Sequence, residues 1–258
     1  MEEYNNEQYL VNSIVGQSRH LFVYGYNNEC RNKFIKKIDE NYPVVPNSDN
    51  SFSLCFKSID FPNFKVNLNG KSKYTFSVLC NECFSFIVAS KLLKKIIESN
   101  ITNLNERFSN LLQNNYLEEE ITSVEELYEE INKSKEFFCE NLIKYSTEDN
   151  VEVDITKIRI KFLELVSFVK HIKEALGINS YISLVFDNDN DISVAFQYMI
   201  MNLMASRING DISVKVVTEP DAWDTFITSN GVFVEYIHDY GIIELDKDIK
   251  KLIRWLKL

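Results

Sequence analysis

The twelve residues Leu21-Phe22-Val23-Tyr24-Gly25-Tyr26-Asn27-Asn28-Glu29-Cys30-Arg31-Asn32 lead from an apolar, β-branched and aromatic run through one glycine into a polar and basic cluster. Such a stretch can hold phosphate. A turn of the form G-x-x-x-x-G-K-[ST] does so because bare backbone N–H groups wrap the phosphates, the lysine reaches the outer ones and the hydroxyl binds Mg²⁺. Gly25 keeps the first position, and Asn28 tolerates left-handed backbone angles within the loop. Cys30 stands where the second glycine belongs, Arg31 where the lysine belongs, and Asn32 where the hydroxyl residue belongs. An ordinary strand-to-helix turn is the other reading of the same glycine.

Two later segments carry complementary chemistry. Ile182–Asn188 is an apolar run ending in Asp187, whose carboxylate would order Mg²⁺. A glutamate would be needed next to polarise an attacking water, but Asn188 follows, and an amide cannot take a proton. The run Ile212–Val217 ends at Thr218, placed to sense a terminal phosphate. Arg207 closes the helix just before that run, where the helix dipole favours a cation.

These residues must be carried by strands and helices, and the pattern supplies both. Strand signals fall at 21–24, 52–58, 181–187 and 212–217, with Ile242–Leu245 as a short last strand and Ser229-Asn230-Gly231 as the turn of a tight hairpin. Helical spacing marks 4–16, Lys33–Asn41, Ile192–Arg207 and Ile249–Leu256. From about 75 to 177 the periodicity is helical throughout: 76–98, 103–114, 123–145, and a helix over 154–176 capped by Asp154. The expected fold class is α/β, a mainly parallel sheet with a large all-helical insertion. The expected division is 1–73 and 179–258 for the two parts of the core and 74–178 for the insertion.

In order, spacing and strand context, the chain resembles a P-loop NTPase of the AAA+ type related to origin-recognition ATPases, including versions found in bacterial mobile-element and defence loci. Val185–Asp191, Arg207–Thr218 and His238-Asp239-Tyr240 look most like that group, and the likeness covers about residues 20–60 and 180–245. The helical middle is expected to have no counterpart there, and no helical lid domain is expected after the core.

The resemblance implies nucleotide binding through Gly25, Asn28, Cys30, Arg31 and Asn32, with ATP and Mg²⁺ as the cofactor, Asp187 as the metal-ordering acid and Arg207 as an arginine finger toward a neighbouring subunit. The substitutions at 30, 31, 32 and 188 argue for a pseudo-ATPase. A Cβ at Cys30 crowds the phosphate, and a planar guanidinium does not replace a compact ammonium. The expected role is assembly with a protein partner or oligomer, such as an intact P-loop ATPase. A slow ATPase using Arg31 and Asp187 and a scaffold that binds no nucleotide are the alternatives.

Charge and cysteines set wider limits. Of the formal net charge of −10, the segment 117–152 carries twelve acids against Lys133, Lys135 and Lys144, so the rest of the chain is near neutral. Its low pI therefore does not exclude nucleic acid, and the absence of a dense basic stripe does not argue for it. Within that segment Leu127, Ile131, Phe138 and Leu142 keep an apolar stripe, so the segment should pack. Its outer acids (Glu118, Glu119, Glu125, Glu126, Glu129 and Glu130) would suit a basic protein partner. The five cysteines (30, 55, 80, 83 and 139), the acidic start and the lack of a long unbroken apolar run suggest a cytoplasmic protein with reduced thiols and no membrane span. Cys80-Asn81-Glu82-Cys83 has metal-ligand spacing but reads as two core-facing thiols.

Overall fold

The computed structural model describes residues 11–66, 68, 70–113, 121–149, 151–206 and 210–245. The chain divides into two compact units, Met1–Ser58 with Ile178–Leu258, and Ile59–Gly177.

The first unit is built on five parallel strands: β1 (His20–Tyr24), β2 (Phe52–Lys57), β3 (Ile182–Asp187), β4 (Ile212–Thr218) and β5 (Tyr240–Glu244). Their order is β2-β3-β4-β1-β5, so both halves of the sequence meet in one sheet. The inner strands β3 and β4 are buried along their whole length, the state in which a parallel strand reads as an unbroken apolar run. Leu21 and Val23 face a core made with Val11, Ile14, Val15, Phe34, Ile35 and Ile38, which come from the helical residues 11–15 and from α1 (Asn28–Asn41). The intervening Phe22 joins an aromatic cluster with Trp223, Phe226 and Tyr240, its ring centroid 5.6, 5.1 and 5.0 Å from theirs. The register aligns the strand ends: Lys57 lies beside Asp187, Asp187 beside Val217, and Tyr24 beside both Thr218 and Glu244.

Gly231 adopts φ +77 and closes a narrow hairpin, with Ile227 and Phe233 forming one antiparallel bridge. The helix expected at 192–207 is observed over Val194–Ala205; Arg207 and the segment 249–256 lie outside the described residues.

The second unit contains α2 (Lys73–Glu98), the short α3 (Leu104–Arg107) and α4 (Ser109–Gln113), α5 (Val124–Thr147) and α6 (Leu165–Leu176). Phe86 of α2 stacks on Phe138 of α5 at 5.4 Å, and Leu127, Ile131 and Leu142 are buried with it. Among the described helices, α2 alone is long and apolar enough to cross a membrane, and 72% of its apolar window is buried inside the protein.

Two expectations are corrected here. The helix does not begin at Asp154: that side chain caps only the 3₁₀ turn Ile155–Lys157, and α6 starts at Leu165 behind a Glu164 cap. Between them Ile158 and Ile160 are buried while Arg159 and Lys161 are less so, a two-residue alternation that favours extended backbone. Nor is the acidic side of α5 wholly outward. Glu130 is buried and lies 2.6 Å from Lys133 and 3.7 Å from Arg159, and Glu126 lies 3.2 Å from Arg159. Glu118 and Glu119 are outside the described residues.

Candidate functional site

The carboxyl ends of parallel strands are where open α/β sheets bind ligands, and here they gather Tyr24, Gly25, Asp187, Asn188, Thr218 and Glu219. The loop after β1 is short. Tyr24 ends the strand and α1 begins at Asn28, leaving only Gly25, Tyr26 and Asn27 between them. Asn27 is the cap, its side-chain oxygen accepting from the Glu29 N–H at 2.7 Å. Cys30, Arg31 and Asn32 are therefore helical, and Cys30 and Asn32 face solvent.

Arg31 turns the other way. Its side chain is buried and its guanidinium donates to the carbonyl of Gly25, to Oδ1 of Asn28 and, at 2.9 Å, to Glu219 Oε1. A Cβ on Gly25 would lie 2.7 Å from Cγ of Arg31, so the glycine makes room for the protein's own arginine. Both backbone groups of Gly25 are engaged: the N–H donates to the Thr218 carbonyl at 3.1 Å, and the carbonyl accepts from Arg31. Neither is directed at a ligand. The three residues Gly25, Asn28 and Arg31 thus come together, while Cys30 and Asn32 stay apart from them.

Asn188 is used structurally. Its amide donates to Thr218 Oγ1 at 3.2 Å and to the Ala222 carbonyl at 2.7 Å, and its oxygen accepts from the Ile192 N–H at 2.6 Å. The Thr218 hydroxyl in turn donates to the Glu219 carbonyl at 3.1 Å. Asp189 accepts from the backbone and hydroxyl of Ser58 at 3.2 and 2.7 Å, tying the end of β2 to the loop after β3.

Asp187 is the exception. It is 1% exposed, and neither carboxylate oxygen has a hydrogen-bond partner. Burial, with the nearby charge of Asp189, raises its pKa to about 6, against the opposing pull of Lys57 and Arg31.

The profile of a family described as ORC-CDC6-like matches residues 49–254. The chain belongs to the ORC-CDC6-like family. That assignment brings the AAA+ type with it, in keeping with the all-parallel five-stranded sheet. The matched span of this ORC-CDC6-like chain runs through the helical middle, correcting the expectation that this region has no counterpart in the family; it includes Asp187, Arg207 and Thr218 and begins after the Gly25–Asn32 segment. A search among curated proteins finds no match.

The residues can be tested against Mg·ATP. Asp187, an orphaned acid, suits a divalent cation, but such a cation takes six or more oxygens. Of the other oxygens at this edge, Thr218 Oγ1 is bonded to Asn188 and Glu219, Asp189 is held by Ser58, and Asn32 is exposed on the helix flank. The phosphate side has a three-residue loop, a committed glycine N–H and an arginine paired to a carboxylate. As a set they do not fit Mg·ATP. Sequence reading missed Glu219, although an acid directly after a strand-end threonine was visible as a candidate partner for the basic residue at 31.

Proposed function

We propose that this ORC-CDC6-like chain is a catalytically degenerate AAA+ subunit, a pseudo-ATPase that acts through assembly with protein partners and binds nucleotide weakly or not at all. One observation carries the reading: the Arg31 guanidinium lies over Gly25, bonded to its carbonyl and to Glu219. A charge that would meet phosphate is already neutralised within the chain. The fully bonded Asn188 supports the same conclusion, since the position next to the strand-end acid holds two loops together instead of polarising water. Membership of the AAA+ type supports a role in assembly, and an intact P-loop ATPase is the partner whose chemistry would supply what this chain lacks. Phosphate release by the purified chain tests the reading. No turnover above background is expected, and turnover of ~1 s⁻¹ or faster, the ordinary enzymatic range, would overturn it.

The orphaned Asp187 favours one second reading, a slow ATPase that orders Mg²⁺ through that acid and uses Arg31 toward phosphate. Slow phosphate release abolished by Asp187→Asn would select it.

A further inference from the structure

Cys83 and Cys139 stand on different helices, 56 residues apart in the chain, with their Sγ atoms 2.7 Å apart. The neighbouring Phe86–Phe138 stack, at 5.4 Å, fixes the spacing of α2 and α5 at this level. Cys83 is fully buried, whereas Cys139 is half-buried and open to a small reagent. We propose that the two form a site of reversible oxidation, a dithiol–disulfide pair that staples α2 to α5.

The oxidant belongs to the class of low-molecular-weight disulfides, such as oxidised glutathione. The Cys139 thiolate attacks one sulfur of that disulfide, breaking its S–S bond, forming a mixed disulfide and releasing one glutathione thiolate. Cys83 then loses its proton to water and attacks Sγ of Cys139, forming the Cys83–Cys139 bond and expelling the second glutathione thiolate. Two protein thiols lose two electrons and two protons; one glutathione disulfide becomes two thiols. Burial and the Cys139 contact push the Cys83 thiol up, and the charge of Lys135 opposes this only in part. Cys83 therefore suits the second step, in which its target is already in contact, better than the first. Cys80 competes on paper, one turn before Cys83 on the same helix, but burial raises its thiol to about 12 and leaves it a poor nucleophile.

The test uses the full chain incubated with millimolar oxidised glutathione, then stripped of excess reagent. Expected are the loss of two hydrogens in intact mass, a Cys83–Cys139 crosslinked peptide after digestion, and a rise in melting temperature of roughly 5–10 °C, all reversed by dithiothreitol. Cys139→Ser should abolish the crosslink and the rise, and Cys80→Ser should preserve both. If Cys83→Ser does not fold, the Cys139→Ser and Cys80→Ser pair carries the test alone. A lasting glutathione adduct, a Cys80–Cys83 crosslink or an unchanged mass would each overturn the proposal.

Discussion

The sheet buries two ionisable side chains, Lys215 and Asp187, and treats them oppositely. Lys215, midway along β4, is fully buried, which pulls its pKa well down; its amine reaches the amino end of the sheet and donates to the carbonyls of Gln17, at 2.8 Å, and Arg19, and to the Ser213 hydroxyl at 2.7 Å. At the carboxyl end Asp187 is as deeply buried and has no partner for either oxygen. Two strand residues with the same burial and opposite satisfaction point to different roles. Lys215 ties the start of β1 to β4 and serves the fold. Asp187 weakens the fold where it stands, and groups kept at such a cost cluster at functional sites. Around it Arg31, Asn188, Asp189 and Thr218 are bonded within the chain, and the acid is not.

Substitution at the amino end should have the largest effect. Lys215→Met leaves the Gln17 and Arg19 carbonyls to the Ser213 hydroxyl, which already donates to both, and should cost roughly 3 kcal/mol in urea unfolding. A neutral outcome would erase the contrast between the ends.

The same end has a pH signature. His20 accepts from the Val214 N–H at 2.9 Å, and burial followed by the charge of Lys215 lowers its pKa to about 4, while Asp239 opposes the shift. Below about 6.5 the unfolded chain takes up a proton that the folded chain refuses, so stability falls as pH drops from 6.5 toward 4, by up to about 3 kcal/mol. An NMR titration of the His20 ring should show no inflection between pH 8 and about 5; a midpoint near 6.5 would show that the imidazole is not desolvated.

Asp187 runs the other way. Its folded pKa of about 6 lies above the ordinary 3.8, so the folded chain holds the proton more tightly and loses stability as pH rises through this window. Asp187→Asn should therefore stabilise the protein by about 2 kcal/mol at pH 8 and by little at pH 4, measured as the difference in denaturant midpoint at the two values. Destabilisation at pH 8 would reveal a partner for the carboxylate.

The smallest effect belongs to the half-exposed ion pair. Glu219→Gln should lower stability by no more than about 1 kcal/mol, because solvent screens its carboxylate, and a salt titration of the melting temperature should show a weaker salt dependence than in the parent.

Much of the sheet was legible because buried parallel strands are written as apolar runs: 21–24, 181–187 and 212–217 fall within one or two residues of β1, β3 and β4. The start of α1 was harder. Apolar spacing begins at Lys33–Phe34, yet the helix starts five residues earlier, at Asn28, where the deciding signals are the Asn27 cap and Glu29 in the first turn. The site was half legible. Gly25, Arg31, Asp187, Asn188 and Thr218 could be picked out by their places beside strands, and the fold brings them to one edge. That Arg31 folds back onto Gly25 and Glu219 could not be read, because the pair is 188 residues apart and no local pattern encodes it. The same holds for Asn188, whose contact with Ala222 depends on how two loops meet.

On the proposed reading, Arg31 is committed to Gly25 and Glu219 where a phosphate would be held. A crystal structure obtained with saturating Mg·ATP tests it most directly. The guanidinium is expected still bonded to the Gly25 carbonyl and to Glu219, with no triphosphate against the start of α1. A triphosphate seated there, with Arg31 swung away from Glu219, would contradict it.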